Sequence, residues 1–147
     1  MKAITIHQPW ATLIALGEKR YETRGWETKY RGPLAIHAAK KVDKEICRQE
    51  PYKSVLAKHG YTAENLPTGV IVATSHLSEC HPVRSHEGHM ATIIDPVNVI
   101  VGNEYEFGWY AVGRFAWELT NVKQIEPVPA KGQQGLWNWG GESYEPR

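Results

Sequence analysis

The stretch Gly17-Glu18-Lys19-Arg20-Tyr21-Glu22-Thr23-Arg24 decides how this chain is read. Gly17 stands where the C-terminal cap of a helix belongs. Arg20 to Arg24 reads as a strand, with Arg20, Glu22 and Arg24 on one face and Tyr21 and Thr23 on the other. Lys19 then lies in the preceding turn and reaches over the strand end. A carboxylate among cations holds them in fixed directions. Such a group orients a polar substrate, binds phosphate or positions a proton donor. The same spacing also suits a surface ion-pair ladder of little energetic worth.

On its N-terminal side, Lys2 to Ile6 alternates as a half-buried strand. Pro9 opens a short apolar helix, Trp10 to Leu16, which ends at Gly17. The mouth of that helix, His7-Gln8-Pro9-Trp10, offers free N–H groups and the positive dipole end to an anion. Gln8 is suited to a base edge and Trp10 to stacking on one. The plainer alternative is a core Trp10 and a capping Gln8.

On the C-terminal side, Arg31-Gly32-Pro33 is a turn and Leu34 to Ala39 a strand. Asp43 caps a helix through Glu50, and a second helical piece runs from Pro51 to Lys58, ended by Gly60. Thr62 caps a further turn. Val70 to Thr74 reads as a buried central strand. His81 to Asn103 is polar and irregular, a long surface loop with a short strand or helix near Val97 to Val101. Phe107 to Val112 and Arg114 to Val122 read as strands, Pro127 and Pro129 leave the sheet, and Gly132 to Trp139 is a glycine-hinged aromatic tail. Short strands with interspersed helices and no βαβ rhythm predict a mixed sheet or small barrel. With no repeat or linker, residues 1–147 are expected to form one domain.

A net charge of +1 gives no global field to draw in nucleic acid, so any such binding needs a local basic groove. Six tryptophans and seven tyrosines stand beside only two phenylalanines, a balance that suits a wet cleft as well as a core. Trp26, Lys29, Tyr30 and Arg31, followed by His37, Lys40 and Lys41, interleave rings with cations as single-stranded nucleic acid requires. The same run also serves as a solvated charged face. Cys80, His81, His86 and His89 carry ligand chemistry, but their spacing is not that of a common zinc finger. No metal and no cofactor are expected. Cys47 and Cys80 follow no redox or scaffold spacing. The short apolar run at the N-terminus and the lack of a stretch near the ~20 apolar residues of a membrane span predict a cytoplasmic protein, or a nuclear one in a eukaryote.

The octapeptide fits G-x-K-x-x-E-x-R through Gly17, Lys19, Glu22 and Arg24. With Ile6 to Ala11 before it and Arg31 to Lys40 after it, the chain resembles the ASCH domain family over most of its length. The resemblance implies an α+β fold: a PUA-like small β-barrel of mixed strands with short flanking helices. It also implies a cleft that binds RNA or single-stranded DNA, in RNA metabolism or transcription regulation. Gln8, Trp10, Lys19, Glu22, Arg24, Trp26, Arg31 and Lys40 are the expected nucleic-acid contacts, and a protein partner is a further expectation. Enzymatic relatives hydrolyse acetylcytidine with a lysine, a threonine and a distant glutamate. Lys19 matches that lysine, whereas Glu22 stands where the threonine nucleophile would be, and a carboxylate does not replace an activated hydroxyl. Another relative is a ribonuclease, for which Lys19 with Tyr21 or Tyr30 would supply acid–base groups. If the chain is an enzyme, Lys19 and Glu22 are its expected catalytic pair.

Overall fold

The computed structural model describes residues 1–140. Twelve elements follow in chain order: β1 (Lys2–Gln8), α1 (Trp10–Ala15), β2 (Tyr21–Arg24), β3 (Gly32–Val42), α2 (Lys44–Cys47), α3 (Tyr52–Lys58), β4 (Val70–Glu87), β5 (Met90–Ile93), β6 (Asn98–Val101), α4 (Gly102–Glu106), β7 (Phe115–Pro129) and β8 (Leu136–Asn138). The class is mixed α+β, with short helices, as the sequence predicts. The residues group into two compact units. Of the described residues, the first comprises 1–18, 33–75 and 121–140, and the second 19–32 and 76–120. The long strands β4 and β7 contribute to both.

In the first unit β1 pairs with β3 in parallel, from Lys2 with Leu34 to Ile6 with Ala38. On its other edge β1 pairs antiparallel with β8, Ala3 opposite Trp137. Leu34, Ala35, Ile36 and Ala38 are fully buried, so β3 is covered on both faces. Ala3, Ala35 and Ile71 pack with Trp137 and Trp139. The aromatic tail is therefore a strand. Its rings are core rather than cleft, because they cover the small side chains of β1 and β3.

Helix α1 forms because five of its six residues are buried and the polar groups at its start are met. Gln8 is wholly buried. Its Oε1 accepts the Thr12 amide at 3.0 Å, and its Nε2 donates to Thr12 Oγ1 and the Pro67 carbonyl, both at 2.7 Å. Gly17 ends the helix at φ +77°. Its amide donates to Ile14 and that of Glu18 to Leu13, the Schellman arrangement that only a residue at ease with positive φ completes cheaply. Asp43 caps α2, accepting the Ile46 amide at 3.0 Å. Gln8→Ala is expected to destabilise the protein by roughly 1–3 kcal/mol, since buried polar partners lose their match. Chemical denaturation measures this, and an unchanged midpoint contradicts it.

The second unit corrects the reading of His81 to Asn103 as a loop. β4 continues to Glu87, turns at Gly88-His89 and pairs with β5, Glu87 opposite Met90 and Val83 opposite Ile93. β5 in turn pairs with β6. One face of this meander is buried, where Val83, Ala91, Ile93 and Ile100 pack with Tyr21, Tyr110 and Ala116, while Met90, Val99 and Val101 lie exposed. Exposed polar and histidine positions fill the other face of its β4 end, and that polarity made the segment look irregular. Two further readings change. Phe107 to Val112 is not a strand but a turn after α4, with Phe107 as the helix cap. Pro127 and Pro129 remain within β7, where exposed positions tolerate the missing donor. Both cysteines are buried and free.

Candidate functional site

The octapeptide's charged residues do not form a solvated ladder. Lys19 is 1% exposed, and Tyr21, Glu22 and Thr23 are all buried. β2 pairs with β7 antiparallel, Glu22 opposite Trp117 and Arg24 opposite Phe115. The Lys19 Nζ donates to the Phe107 carbonyl at 2.9 Å. Burial pushes the Lys19 ammonium below the usual lysine range, while the negative charges of Glu22 and Glu104 oppose that shift and Arg24 adds to it. Glu22 accepts from Arg24 Nε at 3.0 Å. Arg20 is the outlier of the run: its side chain is 68% exposed and its Nε lies 3.6 Å from Glu104.

Glu104, on α4, is central to this arrangement. Its two oxygens accept the amides of Arg20 at 2.8 Å and Tyr21 at 3.3 Å, which clamps the start of β2. Tyr110 is buried nearby, stacked on Tyr105 with ring centroids 5.7 Å apart. Its hydroxyl finds no hydrogen-bond partner among the described residues. Burial, with the charge of Glu104 next, pushes the Tyr110 hydroxyl above the usual tyrosine range. A Cβ at Gly108 would run into the Tyr110 ring, so the turn needs glycine there for close approach.

Beside this buried centre lies an exposed ring and cation. Trp109 is 67% exposed, and the Arg114 guanidinium sits 3.8 Å from its ring centroid. The turn is fixed to β2. The Trp109 amide donates to Thr23 Oγ1 at 2.9 Å, and Arg114 donates to the carbonyls of Trp109 at 2.9 Å and Thr23 at 3.3 Å. The same guanidinium would lie 3.4 Å from a Cβ at Gly25. The next residue, Trp26, is 40% exposed and rests edge-on against buried Trp117 at 4.7 Å. Arg114 therefore lies between the Trp109 ring and the backbone at Gly25, one residue before Trp26.

The eight expected nucleic-acid contacts divide between the units. Gln8, Trp10 and Lys40 belong to the first, and Lys19, Glu22, Arg24, Trp26 and Arg31 to the second. Gln8 is buried and spent on Thr12 and the Pro67 carbonyl. Trp10 is half-buried and donates to the Tyr52 hydroxyl at 3.1 Å. Lys40 is exposed and lines a pocket described below. Arg31 donates to the Thr28 and Tyr30 carbonyls. Of the histidines weighed as metal ligands, His81 is buried and held by the Ile94 carbonyl at 2.9 Å and Glu118 at 2.7 Å. No group of three or more histidine, cysteine, aspartate or glutamate residues suited to a metal occurs among the described residues. No helix among them is long and apolar enough to cross a membrane. Glu104, Trp109, Tyr110 and Arg114 escape sequence reading. The Trp-Tyr pair between Gly108 and Gly113 was the available signal, but it passes as a strand.

These features define a small α+β domain with a buried lysine–carboxylate centre and an exposed tryptophan–arginine surface. The ASCH domain family model matches residues 4–129, and the chain belongs to that family. Over 80 residues it is 34% identical to activating signal cointegrator 1 from human and, equally, from mouse. That segment is 52% of this chain and 14% of each relative, so the chain spans a small part of their length. A solved ASCH structure from Zymomonas mobilis superposes with a TM-score of 0.52 at 12% identity, covering 92% of this chain and 85% of that one. The fold is thus the mixed α+β fold of that ASCH structure.

Proposed function

We propose that this ASCH domain binds RNA or single-stranded DNA, in the cytoplasm or nucleus, in RNA metabolism or transcription regulation. The observation that carries the reading is the exposed Trp109 ring with Arg114 against it and Trp26 beyond. An open aromatic face next to a guanidinium accepts an unstacked base and its phosphate, and does so with little regard to sequence. Arg24, half-buried at the end of β2, adds a second guanidinium in the same unit. Lys19 acts from beneath, holding the Phe107 carbonyl and hence the turn that presents Trp109. Membership of a family that includes part of a signal cointegrator is consistent with this.

The test is fluorescence anisotropy with labelled single strands and matched duplexes over a salt series. Single strands are expected to bind with affinity that falls steeply with salt, and duplexes much less. Trp109→Ala is expected to weaken single-strand binding about 5- to 100-fold, the equivalent of one stacked base, with the unfolding midpoint unchanged. Equal binding of duplex, or no binding of either form at low salt, refutes the reading.

A second reading, hydrolysis of acetylated cytidine or of RNA, is supported by one observation. Lys19 is a buried amine with its affinity for protons reduced, beside two carboxylates, and this suits a proton-transferring group. Turnover of acetylcytidine or RNA that disappears in Lys19→Met supports it. Absence of turnover in the intact protein removes it.

A further inference from the structure

The first unit holds a pocket of about 870 Å³ between β1, β3 and the segment that follows β7, all from residues of that unit. Its frame is tied together. The Gly69 amide donates to Ala38, the Ala130 amide donates to Gly69 at 3.1 Å, and the Ala130 carbonyl lies 2.7 Å from His37 Nε2. Lys40 and Lys131 bring two exposed ammoniums to its wall, and no acidic side chain lines it. Gln133 and Gln134 add carboxamides, while Ala39, Gly69, Pro129 and Ala130 leave a strip without long side chains.

His37 lies at the floor, 2% exposed. The Ala130 carbonyl only accepts, so Nε2 carries the proton, and Nδ1 of the neutral ring is left as an acceptor. That Nδ1 is buried and has no partner among the described residues. It faces Gly132, where a Cβ would fall 2.9 Å from Nδ1 and 2.8 Å from Thr5 Oγ1. A buried acceptor left unmatched at a pocket wall is costly unless something completes it.

We infer that this pocket binds a nucleoside monophosphate, with its phosphate between Lys40 and Lys131 and its base along the Gly69–Ala130 strip toward Gln133 and Gln134. Two ammoniums match the charge of about −2 on a phosphate monoester at neutral pH. The pocket volume lies within the roughly 300–1,000 Å³ of small-molecule sites. The carboxamides suit a base edge. A ligand seated there lies against His37, which lines the pocket. This site is separate from the Trp109 surface and does not depend on it.

Isothermal titration with adenosine and cytidine 5′-monophosphates tests the assignment, alongside inorganic phosphate, the free nucleosides and a 5′-phosphorylated oligonucleotide. The monophosphates are expected to bind more tightly than phosphate or nucleoside. Lys131→Ala and Lys40→Ala, both exposed changes, are each expected to weaken binding at least tenfold, and Trp109→Ala to leave it unchanged. The His37 ring nitrogens are expected to shift in ¹⁵N spectra on saturation. Binding of free monophosphates identifies a soluble nucleotide as ligand, and binding of the phosphorylated oligonucleotide alone identifies a strand end. Inorganic phosphate binding as well as the nucleotides, affinity that survives loss of both lysines, or no binding of any phosphorylated probe overturns the inference. Because Trp109→Ala is the probe of the other surface, failure here and failure of nucleic-acid binding there are told apart.

Discussion

Trp117→Ala is expected to be the most destabilising single truncation in the second unit, costing roughly 3–5 kcal/mol. Trp117 is fully buried on β7, opposite Glu22 of β2. Its Nε1 donates to the Trp26 carbonyl at 3.4 Å, and its ring backs that of Trp26. Alanine leaves a cavity the size of an indole and frees a carbonyl. In a chain of this length the melting temperature is expected to fall by roughly 6–20 °C. Trp117→Phe, which keeps much of the volume, is expected to lose far less. Equal losses for the two would show that the indole N–H, rather than packing, carries the effect. Urea titration of the three proteins separates these outcomes.

Lys19→Ala is expected to come close behind, at about 3–5 kcal/mol, for a different reason. It strips a buried stem, takes the ammonium donor away from the Phe107 carbonyl and removes the buried positive charge that Glu22 and Glu104 feel. Lys19→Met restores the stem but not the charge, so its loss is expected to be smaller. The pH dependence has a definite sign. Burial lowers the proton affinity of Lys19 in the folded protein, so between that depressed value and the ordinary 10.5 the unfolded chain binds more protons. Stability of the wild type relative to Lys19→Met is therefore expected to rise with pH across that window. A difference that falls with pH would mean that the carboxylates outweigh burial.

The sequence made parts of this molecule plain and hid others, for physical reasons. The helix end at Gly17 and the start of β2 were legible because both are set within eight residues. The order β1, α1, β2, β3 followed from alternation and caps. Glu104 and Phe107 were not legible as partners of Lys19 and Arg20. They lie more than 80 residues away in the chain, and only the folded meander brings them in. Nor did local pattern show that β2 is covered on both faces, because its charges satisfy one another rather than solvent. Val70 to Thr74 announced the apolar start of β4, but its length was masked beyond Ser75 by the exposed His76, Arg84, Ser85 and His86. The tail misled in the opposite sense, since glycines on either side of Gln133 and Gln134 suggested a hinge where β8 follows directly.

The pairing of β8 with β1 bears on how the chain folds as it is made. β1 precedes both of its neighbours in the chain, and its two edges are claimed at very different times. β3 arrives some thirty residues later, but Leu136 to Asn138 arrive about 130 residues later. The Met1 and Trp139 backbones also bond to each other, at 2.8 Å and 3.3 Å. Closing so long a loop carries a large entropic cost and comes late. Until β8 is made, then, β1 presents an open row of amides and carbonyls beside Ala3 and Ala35, whose cover of Trp137 and Trp139 has not yet appeared. An unfinished edge of this kind invites strands from other copies. Residues 136–139 thus protect the nascent chain from self-association as well as completing its core.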